Sequence, residues 1–118
     1  MSEVTIWHNP RCRKSRQALA LVEGKGIAPN VVKYLETPPS AAEIAKVLDM
    51  LGIEDPRKLM RRQEAPFKEL GLGDPGKSHK ELIAAMAQNP ILIERAVVIS
   101  GGKAALGRPP EQVLSILG

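Results

Sequence analysis

Val4-Thr5-Ile6-Trp7-His8-Asn9-Pro10-Arg11-Cys12-Arg13-Lys14-Ser15-Arg16-Gln17-Ala18-Leu19 is the stretch from which the rest of the chain is read. Val4 to Trp7 is a short β-branched and aromatic run, apolar enough to be buried on both faces, and the Asn9-Pro10 step ends it. A helix is expected from about residue 13, with Ala18, Leu19, Leu21 and Val22 on one face and Gly24 and Gly26 closing it. Cys12, the single cysteine of the chain, therefore falls at a strand-to-helix turn. Orphan N–H groups at a helix start carry roughly half a positive charge, and Arg11, Arg13, Lys14 and Arg16 add full ones nearby. Both favour the thiolate, the form that acts as a nucleophile. Each unit of fall in a thiol pKa raises the thiolate fraction by up to about tenfold but lowers nucleophilicity about threefold. Ionisation alone is therefore a small gain, and other groups must hold an electrophile against the sulfur and stabilise the charge that develops.

Working outward, Val31 to Leu35 reads as a second strand, which makes a βαβ unit with two parallel strands. The middle is helical. Ser40 with Glu43 and Ser78 with Glu81 make capping-box patterns, each followed by apolar residues at helical spacing. Asp55-Pro56 opens another helix as cap and first residue, and a short one is expected over Pro66 to Leu70. Ala96 to Ser100 and Lys103 to Leu106 flank Gly101-Gly102, the spacing of a hairpin turn. Arg108-Pro109-Pro110 then leads into a closing helix carrying Val113, Leu114, Ile116 and Leu117. The order βαβ, helices, ββα is that of an α/β, thioredoxin-like fold with a mixed four-stranded sheet, taken here as one domain over residues 1–118 with a helical insertion at about 40–88.

Composition narrows the function. At 118 residues and 43% hydrophobic content, one domain with an ordinary core is sufficient. Seventeen basic residues against thirteen acidic ones favour anionic substrates only moderately. One aromatic of each kind (Trp7, Tyr34, Phe67) leaves almost nothing to stack bases, so nucleic acid is not an expected partner. No apolar run approaches a membrane span and Met1-Ser2-Glu3 does not open a signal sequence, so a cytoplasmic protein is expected. A single cysteine rules out an intramolecular disulfide, so any disulfide of Cys12 involves another molecule. His79 has no cysteine or second histidine near it in sequence and reads as a solvated helix residue, so no metal site is expected.

His8-Asn9-Pro10 to Cys12 with Ser15-Arg16, Tyr34-Leu35-Glu36-Thr37-Pro38-Pro39, Leu59-Met60-Arg61-Arg62, Asn89-Pro90-Ile91-Leu92-Ile93 leading to Arg95, and Gly107-Arg108-Pro109 occur in an order and spacing that resemble the glutaredoxin-dependent arsenate reductase family. The resemblance spans essentially the whole chain and is to a shorter branch, without the longer C-terminal tail of the best-known members. It implies that Cys12 attacks arsenate, or a similar tetrahedral oxyanion, and that Arg61, Arg95 and Arg108 bind the oxyanion, with Arg62 a rival for Arg61. A thiolate and an oxyanion about 4 Å apart repel by on the order of 4 kcal/mol at an effective dielectric near 20, so cations are required. Guanidinium suits the task, because its planar fork donates two hydrogen bonds to adjacent oxygens.

The resemblance also implies that His8 and Ser15 activate the thiolate, a protonated His8 by charge and the Ser15 hydroxyl by donation. The alternative is that His8 ends a strand and Ser15 caps the first helical turn. It further implies no bound cofactor, glutathione as co-substrate and glutaredoxin as partner. Ser15 stands three residues after Cys12, where dithiol oxidoreductases carry a resolving cysteine, so an outside thiol must finish any reduction. One departure is Ala96, where the family places a proline, usually cis; the ordinary cost of a cis bond before alanine favours trans here. Two other readings are a thiol-based redox regulator of the same superfamily, which would bind a partner without turnover, and a monothiol oxidoreductase acting on another substrate, which would not need the three arginines.

Overall fold

A computed structural model describes residues 4–107 and 110–117, and within them the chain divides into two compact units. The first comprises the chain up to Thr37 and from Arg95 onward. It contains β1 (Val4–Trp7), α1 (Arg13–Gly24), β2 (Asn30–Val32), β3 (Val97–Ser100), β4 (Lys103–Leu106) and a closing 3-10 helix, Pro110–Ile116. The sheet is mixed and four-stranded, in the order β2-β1-β3-β4. β1 pairs parallel with β2 and antiparallel with β3, so Ile6 lies opposite Val31 on one side and Val98 on the other.

Alternation along the strands sends Val4, Ile6, Ala96 and Val98 to one core, where Ala18 and Val22 of α1 and Val113 of the closing helix meet them. Trp7 and Val97, on the opposite face, are buried as well, as expected of a strand without a solvent side. Gly107 follows β4 where the chain crosses α1. Its N–H donates to Ala96 O at 2.7 Å, and a Cβ there would stand 3.1 Å from the Ala18 Cβ.

The second unit is Pro38–Glu94. Both capping boxes form: Ser40 opens α2 (Ala41–Leu51) and Ser78 opens α4 (His79–Gln88), each hydroxyl accepting from the N–H of the glutamate three residues on. α2 ends at Gly52, whose φ of 69° a residue with a Cβ rarely adopts. α3 (Ala65–Glu69) is a single short helix. Ile44, Val47 and Leu48 of α2 and Leu82, Ala85 and Met86 of α4 supply the apolar interior.

Four local expectations are corrected. β2 stops at Val32, because Glu36 and Thr37 N–H both donate to Lys33 O at 2.9 Å and fold the chain into a turn. The helix after Asp55 is one 3-10 turn, Pro56–Leu59, because Met60 becomes extended and bridges to Ile93. The closing helix is 3-10 rather than α, a form typical of segments too short to gain from α-helical cooperativity. The Arg95–Ala96 peptide is cis, not trans. The preference of an isolated peptide is overruled there by its surroundings, with Ala96 fully buried and its carbonyl held by Gly107.

Gly107→Val should destabilise the protein by about 1–3 kcal/mol in denaturant unfolding, as overpacking does, since the new side chain would collide with Ala18. Unchanged stability would contradict the close crossing.

Candidate active site

Cys12 is the N-cap of α1, in extended conformation, and is 8% exposed. The turn before it is closed by its own N–H, which donates to Asn9 O at 3.0 Å, and by Arg11 N–H, which donates to Asn9 Oδ1 at 3.0 Å. An asparagine at the start of such a turn supplies a side-chain acceptor for the backbone two residues on. Arg16 fastens the helix to the turn through a 2.9 Å bond from its guanidinium to Pro10 O.

Strand pairing decides what faces this turn. β1 and β3 run antiparallel with Trp7 opposite Val97, so the residues just after β1 and those just before β3 share one end of the sheet. Cys12 follows β1 and Arg95 precedes β3. Across that end, Arg95 Nε donates to Cys12 Sγ. The other arm of this guanidinium, Nη1, is buried and has no hydrogen-bond partner among the described residues.

Burial pushes the Cys12 thiol up, but opposing effects outweigh it: the Ser15 backbone N–H, the Arg95 guanidinium by hydrogen bond and by charge, and the Lys14 backbone N–H. The result lies below the ordinary cysteine value. Lys14 and Ser15 are the second and third residues of α1, where an N-cap side chain finds its donors. The sulfur closes no strict cap hydrogen bond, yet these N–H dipoles favour its anion. Of the two local effects expected, the helix-start N–H groups act on the sulfur directly, whereas the neighbouring side-chain charges stand off from it. The side chains of Arg11, Arg13, Lys14 and Arg16 are exposed, and the cation on the sulfur comes from 83 positions away.

His8 and Ser15 come together, both buried, with Nδ1 and Oγ 2.7 Å apart. Ser15 Oγ also accepts the Asn9 N–H at 3.0 Å. Burial, with Lys33 and Arg16 nearby, holds His8 below its ordinary pKa. Of the two readings of His8, the cationic one is disfavoured by this shift, and the ring is bonded to Ser15. Ser15 reaches the sulfur through its backbone N–H, while its hydroxyl serves His8 and Asn9.

From residue 7 to residue 116 the sequence matches the model of the ArsC family. The chain belongs to the ArsC family. Among its relatives is an arsenate reductase of Neisseria meningitidis serogroup A, 47% identical over 99% of this chain and all of that protein. The uncharacterized protein YfgD of Escherichia coli K12 is 52% identical, with 98% of each chain covered. A solved structure described as an arsenate reductase from Vibrio cholerae is 53% identical over 98% of each chain and superimposes with a TM-score of 0.95.

Arg61 belongs to the second unit, where its N–H donates to Leu92 O at 2.7 Å and its guanidinium pairs with Glu64 at 3.1 Å. Its rival Arg62 is exposed. Arg108 lies outside the described residues. His79 is the exposed first residue of α4. The helix-start N–H groups expected to favour the thiolate are those of Lys14 and Ser15. Their signal was present, since placing Cys12 at the helix cap fixes which N–H groups face it.

The alkylation rate of Cys12 by iodoacetamide should rise with pH around a midpoint below that of an ordinary cysteine, and Arg95→Gln should move that midpoint upward. Arg13→Gln should leave it in place, because that side chain is exposed. Equal midpoints for wild type and Arg95→Gln would contradict the geometry.

Proposed function

We propose that this ArsC protein is an arsenate reductase that uses Cys12 as nucleophile and draws its electrons from glutathione with the help of glutaredoxin. The observation that carries the reading is the Cys12–Arg95 pair: a sulfur whose anion is favoured, beside a guanidinium with one buried arm that has no partner among the described residues. A tetrahedral oxyanion approaching the sulfur could accept from that arm. Relatives at 46–47% identity that are named arsenate reductases support the substrate class.

In the proposed reaction the Cys12 thiolate bonds to As(V), and one arsenate oxygen leaves as water after taking up protons. A glutathione thiol then attacks the Cys12 sulfur, the S–As bond breaks, and its electron pair stays on arsenic. Arsenate thus gains two electrons and loses one oxygen, while two thiols lose two protons and two electrons to become one mixed disulfide. A second glutathione, delivered through glutaredoxin, reduces that disulfide and restores Cys12. The dependence on outside thiols follows from the single cysteine, which leaves the chain no second sulfur with which to close a disulfide.

Arg95 would stabilise both the thiolate and the charge that builds on the arsenate oxygens. Arg61 and Arg108 join it on the strength of the sequence pattern. His8 and Ser15 act as positioning residues: their bond, with the Asn9 N–H on Ser15 Oγ, fixes the turn that aims Cys12. No cofactor enters the scheme, and the reductant is a co-substrate.

In an assay coupling arsenate to NADPH through glutathione, glutathione reductase and glutaredoxin, Cys12→Ser should lose turnover entirely. Arg95→Ala should lower kcat/KM by about a hundredfold or more, as when one transition-state donor is removed. Arg61→Ala and Arg108→Ala should each lower it by about a hundredfold as well. Turnover surviving Cys12→Ser would refute the mechanism, and turnover unaffected by omission of glutaredoxin would refute the partner.

A further inference from the structure

β1 and β2 run parallel, and their carboxyl ends lead into two neighbouring turns. His8 N–H donates to Val32 O at 2.8 Å, which continues the ladder past both strands and holds the turns side by side. A cavity of about 410 Å³ opens between them, lined by the turn from His8 to Arg11 on one side and by Lys33, Leu35 and Glu36 on the other. The carboxyl ends of parallel strands are where open α/β sheets commonly receive ligands. The volume falls in the range of small-molecule sites, roughly 300–1,000 Å³.

The lining is specific in chemistry. Arg11 and Lys33 supply two cations, Glu36 one carboxylate, and Pro10 and Leu35 apolar surface, with Leu35 40% exposed. An inorganic oxyanion has no use for a carboxylate and a leucine. A small peptide with carboxylates at its ends and one ammonium group uses all of them: its carboxylates meet Arg11 and Lys33, its ammonium meets Glu36, and its backbone lies on Pro10 and Leu35. A three-residue peptide extends to about 10 Å at most. Arg11 is the residue before Cys12, and Cys12 closes the same turn through Asn9, so a ligand seated here lies against the turn that carries the sulfur.

We propose that this cavity seats glutathione, the peptide thiol that attacks Cys12; the assignment rests on reading the chain as a glutathione-dependent reductase. Seated there, glutathione brings its sulfur to the Cys12–arsenic adduct. The S–S bond forms as the S–As bond breaks, the electron pair passes to arsenic, and the thiol proton goes to solvent.

S-methylglutathione, which cannot react, provides the test when titrated by calorimetry into Cys12→Ser protein with and without a second change. Lys33→Glu and Glu36→Lys should each weaken its binding fivefold or more, and Glu36→Lys should at the same time tighten the binding of sulfate. In the Cys12 protein, the same two changes should raise the KM for glutathione by a similar factor and leave the KM for arsenate within twofold. Absence of binding, or binding indifferent to both changes, overturns the assignment. Because this titration needs no arsenate, a protein that binds S-methylglutathione in this pattern yet reduces no arsenate refutes the activity and leaves the cavity as a peptide-thiol site.

Discussion

A buried sulfur anion survives only where something repays the loss of water, and in this protein the Ser15 backbone N–H and the contact between Arg95 and Cys12 at one end of the sheet do so. A desolvated thiol would otherwise stay protonated and inert. The β1–β3 register is what makes the contact possible, since it places the residues before Val97 opposite those after Trp7. The core of Val4, Ile6, Ala18, Val22, Val98 and Val113 fixes that register by holding the alternation of both strands. Even the smallness of Ala18 and Gly107 belongs to this arrangement, because their close crossing lets Gly107 bond to Ala96, the residue next to Arg95.

The cations nearest in sequence are not the ones that matter most to the sulfur. Arg16 spends a guanidinium bond on Pro10, and Arg11 and Arg13 are exposed. The helix start acts through its backbone instead, by the N–H groups of Lys14 and Ser15. His8 and Ser15 serve the turn, with the imidazole bonded to the serine hydroxyl. This division leaves Arg11 and Lys33 available at the mouth of the neighbouring cavity, where their charge can serve a second, anionic reactant.

Much of this was legible in the sequence, wherever a signal is local. β1, α1, the Gly101-Gly102 hairpin and both capping boxes follow from periodicity and cap chemistry that act within a few residues. Cys12 at the strand-to-helix turn was also within reach, whereas the bond between His8 and Ser15 was not, since each was expected to act on the sulfur instead. What else escaped depends on partners distant in the chain. Met60 leaves its helical turn because Ile93 pairs with it. Arg95–Ala96 is cis within a fully buried setting that propensity does not describe. The charge state of His8 turns on burial, which a strand-end position does not reveal. Arg95 was expected as a ligand for the oxyanion, and its bond to the sulfur itself emerges only when β3 is laid beside β1.

The central claim is that arsenic bonds to the Cys12 sulfur within this pair, and X-ray absorption at the arsenic edge tests it most directly. Protein mixed with arsenate in the absence of glutathione should show one sulfur in the first shell of arsenic, and Cys12→Ser protein should show oxygen alone. An all-oxygen shell in the wild-type protein, under conditions where arsenate demonstrably binds, would contradict the account.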